Sequence, residues 1–135
     1  MTTAAELHRT MFAAIQERDF DTLKRIFHRD SIHTSGDGVQ QIGGEAVVDV
    51  LKSFLTPFPD LTITIREQFA PDESVSIIEY TFSGTHQGPL EDVAPTGKKI
   101  SVIACSVLEA REGKIIREAD YYDTLAMMEQ LSLDI

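Results

Sequence analysis

Residues 100–121, ISVIACSVLEAREGKIIREADY, decide the fold class. Ile100 to Ala110 is a run of β-branched and small apolar residues, and a second extended run follows from Lys114 to Tyr121. Glu112-Gly113 between them is a two-residue, glycine-bearing connection, so the two runs form an antiparallel hairpin. Upstream, Val75 to His86 is another long stretch rich in β-branched and aromatic residues. Leu61, Ile63 and Ile65 alternate with Thr62, Thr64 and Arg66, and Pro71-Asp72-Glu73-Ser74 is the turn that joins this strand to the next. The stretch from Gly88 to Lys98, with Pro89, Pro95 and Gly97, is a loop.

The first half changes period. Leu7, Met11, Ala14 and Ile15 recur at helical spacing within Ala4 to Arg18, with Thr2 or Thr3 as the N-cap. Asp19 can cap a second helix in which Phe20, Leu23, Ile26 and Phe27 share one side. Gly36, Gly38, Gly43 and Gly44 mark turns around Val39 to Ile42. A third helix runs from Glu45 to Leu55 on the stripe Val47, Val50, Leu51 and Phe54, and Pro57 and Pro59 end it. A short helix, Thr124 to Leu131, closes the chain behind Asp123. Helices first and strands after predict an α+β fold with a mostly antiparallel sheet, in one domain over residues 1–135. Three short helices cannot cover both faces of such a sheet. Either the sheet curves around them and leaves a cavity, or a second copy of the chain covers the outer face.

Bulk properties narrow the partners. The net charge of −10 and the scattered Lys and Arg argue against nucleic acid and against anionic membranes. No segment reaches membrane-spanning length. The lone cysteine, Cys105, permits no intrachain disulfide and reads as a small buried thiol. Met1 to Glu6 has neither a basic nor an apolar run, so no signal peptide is expected, and the expected compartment is the cytoplasm.

Several short motifs fall in a familiar order. Phe82-Ser83-Gly84-Thr85-His86-Gln87-Gly88 is followed by Ala94-Pro95-Thr96-Gly97-Lys98; Phe58-Pro59-Asp60-Leu61 follows the third helix; His33 precedes Gly36, and Gly43 precedes Glu45-Ala46; Gly113-Lys114-Ile115-Ile116, Asp123 and Gln130-Leu131 close the series. Together these resemble the SnoaL-like polyketide cyclases of the NTF2-like superfamily, from about His33 to Leu131. The chain departs from the family in having Ala119 before Asp120, where an aromatic is frequent, and Ser132 after Gln130-Leu131, where glycine is usual. Tyr121 or Tyr122 could replace the missing aromatic wall. The resemblance implies a cone-shaped barrel of helices on a strongly curved sheet, an apolar pocket, and dimers or tetramers, with a homodimer the expected state. It also implies ring closure by an intramolecular aldol reaction on a polyketide ester, with an acidic residue as acid/base and no metal or cofactor.

Aldol closure requires a base for a proton beside a carbonyl and an acid for the new alkoxide. One carboxylate with a raised pKa can serve as both in turn. In an extended Lys114–Tyr121 segment, Ile116, Glu118 and Asp120 face one side and Arg117, Ala119 and Tyr121 the other. Asp120 and Asp123 therefore sit where the last strand meets the last helix. Asp123 is also well placed as a helix cap, and Asp120 could instead pair with Arg117 or Lys114 or face water. Asp120 is named first, because a capping carboxylate is already occupied. His33 and His86 could polarise a carbonyl or relay a proton, although His86 equally suits a hydrogen bond within its own loop. His8 and His28 lie among charged residues and are expected to be solvated. Phe12, Phe54, Phe58, Phe69, Tyr80 and Phe82 supply apolar surface for a core or a pocket, and Tyr121 joins the pocket set. No metal-ligand spacing, phosphate loop or Ser-His-Asp pattern is present, so neither metal nor cofactor is expected. These features lead to a cofactor-independent acid/base enzyme on a small apolar carbonyl compound: a cyclase, or a related isomerase or hydrolase. The alternative is a non-catalytic binding or dimeric interaction module with the same fold.

Overall fold

A computed structural model describes residues 2–133. In chain order the elements are α1 (Ala4–Glu17), α2 (Phe20–Ile26), β1 (Phe27–Thr34), β2 (Gln40–Ile42), α3 (Gly44–Leu55), β3 (Thr62–Asp72), β4 (Val75–Thr85), β5 (Lys99–Arg111), β6 (Lys114–Tyr122) and α4 (Thr124–Gln130). The strands form one six-stranded sheet in the order β2-β1-β6-β5-β4-β3. Every neighbouring pair is antiparallel except β1 and β6. The sheet is curved, and the helices pack on its inner face in an α+β arrangement.

Local chemistry accounts for the element ends. Thr3 and Glu6 form a reciprocal capping box at the start of α1, and Arg18 ends that helix in the left-handed conformation. Asp19 caps α2 through the Thr22 N–H. Glu112 and Gly113 both take positive φ, 54° and 76°, the pair a tight hairpin needs to follow the right-handed twist of its strands. Ser132 adopts φ 58°, the conformation that glycine would supply at that position. The backbone is thus kept where the family's usual residue is not.

The core lies between α1, α2 and α3 and the inward residues of β4 and β5. Leu7, Met11, Phe12, Leu23, Val48 and Leu51 meet Ile78, Tyr80, Phe82, Val102 and Leu108, all buried. β4 alternates strictly between half-buried and buried, so its sequence pattern survives intact. The opposite face carries Ile103 (60% exposed) and Tyr121 (56% exposed), flanked by Phe69 and Ile32.

Two features differ from the sequence-based expectations. The first half is not all helical: Phe27, grouped above with the α2 stripe, opens β1. Residues His28 to Asp30 interrupt any alternation there, the register with β6 shifts between Phe27 and Ile32, and the partner strand lies far along the chain. Second, β6 is bulged. Glu109 pairs with Arg117 and Ala110 with Ile115, which leaves Ile116 without a partner. Ile115, rather than Ile116, therefore shares the inner face with Glu118.

Gly44 opens α3 directly against the backbone carbonyl of Lys24. A methyl group at this position would overlap backbone that has no side-chain freedom to yield. Gly44→Ala is expected to cost roughly 1–3 kcal/mol of stability, read as a lower midpoint in urea unfolding. An unchanged midpoint would show that α2 and α3 are not packed this closely.

Candidate active site

A partly open cavity of about 100 Å³ lies between the helices and the inner sheet face. Its walls are aromatic. Phe12 from α1 lies tilted against Tyr80 at 4.8 Å between ring centres, and Tyr122 meets Phe82 edge-on at 5.3 Å. Phe54 from α3 completes the cluster. Gly36, in the turn after β1, lies flat against the Tyr122 ring, where any side chain would collide with it.

The polar groups of the cavity include His33, Glu118, Asp120 and Tyr80. Parallel pairing sets His33 of β1 opposite Glu118 of β6, and β4 brings Tyr80 in from two strands away. The Tyr80 hydroxyl donates to Asp120 Oδ1 at 2.9 Å. Ser106 Oγ donates to Glu118 Oε2 at 2.6 Å. His33 Nδ1 lies 2.7 Å from Glu118 Oε1, yet neither ring nitrogen makes an aligned hydrogen bond.

Burial governs the protonation of this group. It pushes Glu118 up to about 7, against hydrogen bonds from Ser106 and Asp120 that pull it down. Asp120 is raised well above the usual carboxylate range by burial and by the neighbouring Glu118 charge, with His33 and Tyr80 opposing. His33 is lowered by burial, against the pull of Asp120, so the ring is neutral. Tyr80 is raised by burial and by both acids. No Lys or Arg lines the cavity among the described residues. Two carboxyls beside a neutral imidazole therefore retain at least one proton between them near neutral pH. One donor atom each from His33, Glu118 and Asp120 lies within 4.8 Å of the others.

The cavity gathers some of the expected residues and leaves out others. Asp120, His33, Phe12, Phe54, Tyr80 and Phe82 line it. Asp123 caps α4, accepting from the Ala126 N–H at 3.1 Å, and does not line the cavity. His86 is buried elsewhere: its Nδ1 accepts from the Thr96 N–H at 3.2 Å and lies 2.9 Å from Thr96 Oγ1, which pins the loop before β5. Phe58 is fully buried beneath His86 and Gly84 as core. Tyr121 points to the outer face, and Tyr122 takes the wall position instead, because strand alternation sends 118, 120 and 122 inward together. Phe69 is also on the outside. Lys114 and Arg117 do not serve Asp120; they bond the Arg25 carbonyl and Glu109. His8, expected in water, is wholly buried, while His28 is half exposed. Glu118 escaped selection although its spacing of two from Asp120 put it on the same strand face.

The SnoaL-like polyketide cyclase family model matches residues 5–131. The chain belongs to this family. No curated protein matches it. Among solved structures, a candidate SnoaL-like polyketide cyclase from Jannaschia sp. CCS1 superposes with a TM-score of 0.87 at 17% identity, over 98% of this chain and 93% of that one. IdmH, a candidate polyketide cyclase from Streptomyces antibioticus, gives 0.84 at 20% identity, over 96% and 99%. An LEH-like epoxide hydrolase of M. tuberculosis gives 0.73 at 20% identity, over 96% and 89%. At these identities the likeness shows the shared fold. No helix of this SnoaL-like chain is long and apolar enough to cross a membrane among the described residues.

The buried acid makes stability depend on pH. Glu118 binds its proton more tightly folded than unfolded, between the ordinary 4.5 and about 7. Its contribution is therefore fully present below pH 4.5 and is lost as pH rises through 7. Glu118→Gln should flatten this fall by on the order of 3 kcal/mol. Urea unfolding at pH 5 and pH 8 checks it; an equal fall in both proteins would mean that Glu118 is not buried as an acid.

Proposed function

We propose that this chain is a cofactor-independent acid/base enzyme that acts on a small apolar carbonyl compound, by the intramolecular aldol cyclisation of its family or a related isomerisation or hydrolysis. The observation that carries the reading is the Asp120–Glu118 carboxyl pair in an aromatic cavity that no Lys or Arg lines among the described residues. An apolar carbonyl compound suits the Phe and Tyr walls, and an acid held near neutrality suits proton transfer at carbon.

The steps balance within the pair. Asp120 is the more accessible carboxyl, and its resident proton passes to Glu118 as Asp120 takes the proton from the carbon beside the substrate carbonyl. The enolate attacks the second carbonyl, forming the C–C bond and an alkoxide. Asp120 protonates the alkoxide, and Glu118 returns its proton to Asp120. The pair ends with the one proton it began with. Tyr80 steadies Asp120 when it is charged, and His33 offers an unpartnered ring nitrogen at the wall to orient the carbonyl. Asp123 and His86, occupied by backbone and loop contacts, have no part in this sequence. The same cavity without proton transfer would be a binding module, but two ionisable groups at the floor of an apolar pocket are costly for binding alone.

Exposed Ile103 and Tyr121 support a homodimer formed through the outer sheet face. Ile103→Glu should yield a monomer in analytical ultracentrifugation with the fold retained, and a monomeric unaltered protein would dispose of this assembly. The catalytic reading is checked by deuterium uptake at the activated methylene of a β-keto polyketide ester, followed by NMR. Asp120→Asn should slow uptake at least about 100-fold without lowering the thermal midpoint. Undiminished uptake would remove Asp120 from the chemistry.

A further inference from the structure

Behind the cavity, a single file of hydrogen bonds runs from the surface of α1 to Glu118. Arg9 Nε donates to Gln68 Oε1 at 2.6 Å, and Gln68 Nε2 donates to Ser76 Oγ at 3.1 Å. Ser76 Oγ lies 2.8 Å from His8 Nδ1, and His8 Nε2 lies 2.8 Å from Ser106 Oγ. Ser106 Oγ then donates to Glu118 Oε2 at 2.6 Å. His8, Ser76, Ser106 and Glu118 are all buried. A bulge in β3 between Ile65 and Glu67 turns Gln68 inward to join them.

The outer end sets the direction of the whole file. Arginine has only donors, so the Gln68 oxygen faces Arg9 and its amide nitrogen faces Ser76. Ser76 accepts that bond and gives its own proton to His8 Nδ1. Burial drives His8 down to about 3, so the ring is neutral and its one proton sits on Nε2, toward Ser106. Ser106 accepts it and passes its hydroxyl proton to Glu118. The reverse polarity would leave the Ser76 proton without an acceptor in a buried place. Gln68 Nε2 also donates to the Ala5 carbonyl at 3.1 Å, but from Ser76 inward every donor aims at one carboxyl, which favours its ionised, acceptor-only form.

We propose that His8 and Ser106 are positioning residues that hold the charge of the carboxyl pair on Glu118, and so keep the pair's resting proton on Asp120, the carboxyl that serves the cavity. This deepens the acid/base reading above and rests on it for its purpose, though not for its test. Glu118 becomes a shallow reservoir, able to take the Asp120 proton during turnover and bound to return it. The groups that face the pair are His33 from β1, Tyr80 from β4, Tyr122 from β6 and His8 from α1. His33 and His8 are neutral and both tyrosines are raised by burial, so none supplies a competing charge near neutral pH.

The test uses the full chain without substrate. Carboxyl ¹³C NMR follows Glu118 and Asp120 across pH, with Glu118→Gln and Asp120→Asn assigning the signals, and ¹⁵N NMR reads the His8 tautomer. The expected result is an Nε2–H ring on His8 and a Glu118 that ionises before Asp120. Ser106→Ala should move the Glu118 ionisation up by about one pH unit and lower that of Asp120. Ser106→Thr, which keeps the hydroxyl, should restore both ionisations to their original positions. An Nδ1–H ring on His8, or ionisations unmoved by Ser106→Ala, overturns the proposal. If Ser106→Ala fails to fold, the His8 tautomer in the unaltered protein still decides. These readings are independent of turnover, so they can fail while deuterium uptake succeeds, or the reverse.

Discussion

The structure turns on two carboxyl side chains held next to each other in an aromatic cavity that no Lys or Arg lines among the described residues. Such an arrangement is tolerable only if a proton is shared and the remaining lone pairs find donors. Ser106 and Tyr80 supply those donors from two strands, and the His33 ring lies beside them on a third. Most of the architecture around the cavity can be understood as the means of bringing them there. The parallel pairing of β1 with β6 delivers His33. The long β4–β5 hairpin delivers Tyr80 and Ser106. The first helix lays His8 across the sheet to brace Ser106 from behind.

Legibility in the sequence followed the range of the interactions. The helices, the long strands and their turns depend on local periodicity and caps, and Ala4–Glu17, Val75–Thr85 and the Glu112-Gly113 turn could be read directly. β1 depends on a partner strand far along the chain, with His33 opposite Glu118, and on a register shift, and its polar stretch at His28 to Asp30 hid it. The bulge at Ile116 defeated simple alternation for Ile115, although Glu118 and Asp120 beyond it kept their common face.

The motifs that carry the family resemblance proved to be mainly scaffold. Asp60 takes both the Thr85 N–H, at 2.7 Å, and the Thr85 hydroxyl, at 2.8 Å. His86 and Thr96 clasp the loop between β4 and β5. These contacts explain why such residues mark the fold, and why His86 sits at that loop and not at the cavity. His33 and Gly36 are motif residues that do reach the cavity, whereas the two acids stand in a plain strand, Arg117 to Tyr122, with no distinctive spelling. His8 misled for a related reason: charged neighbours on a helix say little about a residue on its inner side, and its partners Ser76 and Ser106 are ordinary strand serines.

The contact between Gly36 and the Tyr122 ring separates two properties that often change together. The acids belong to the sheet, where any shift in register would disturb the core. The aromatic wall above them leans on a turn with no side chain of its own. A single replacement in that turn would push the ring aside and reshape the cavity while the proton-handling groups stayed where they are. A lineage built on this frame could therefore change the molecules its cavity admits by editing a surface turn, while the acids beneath stayed in place.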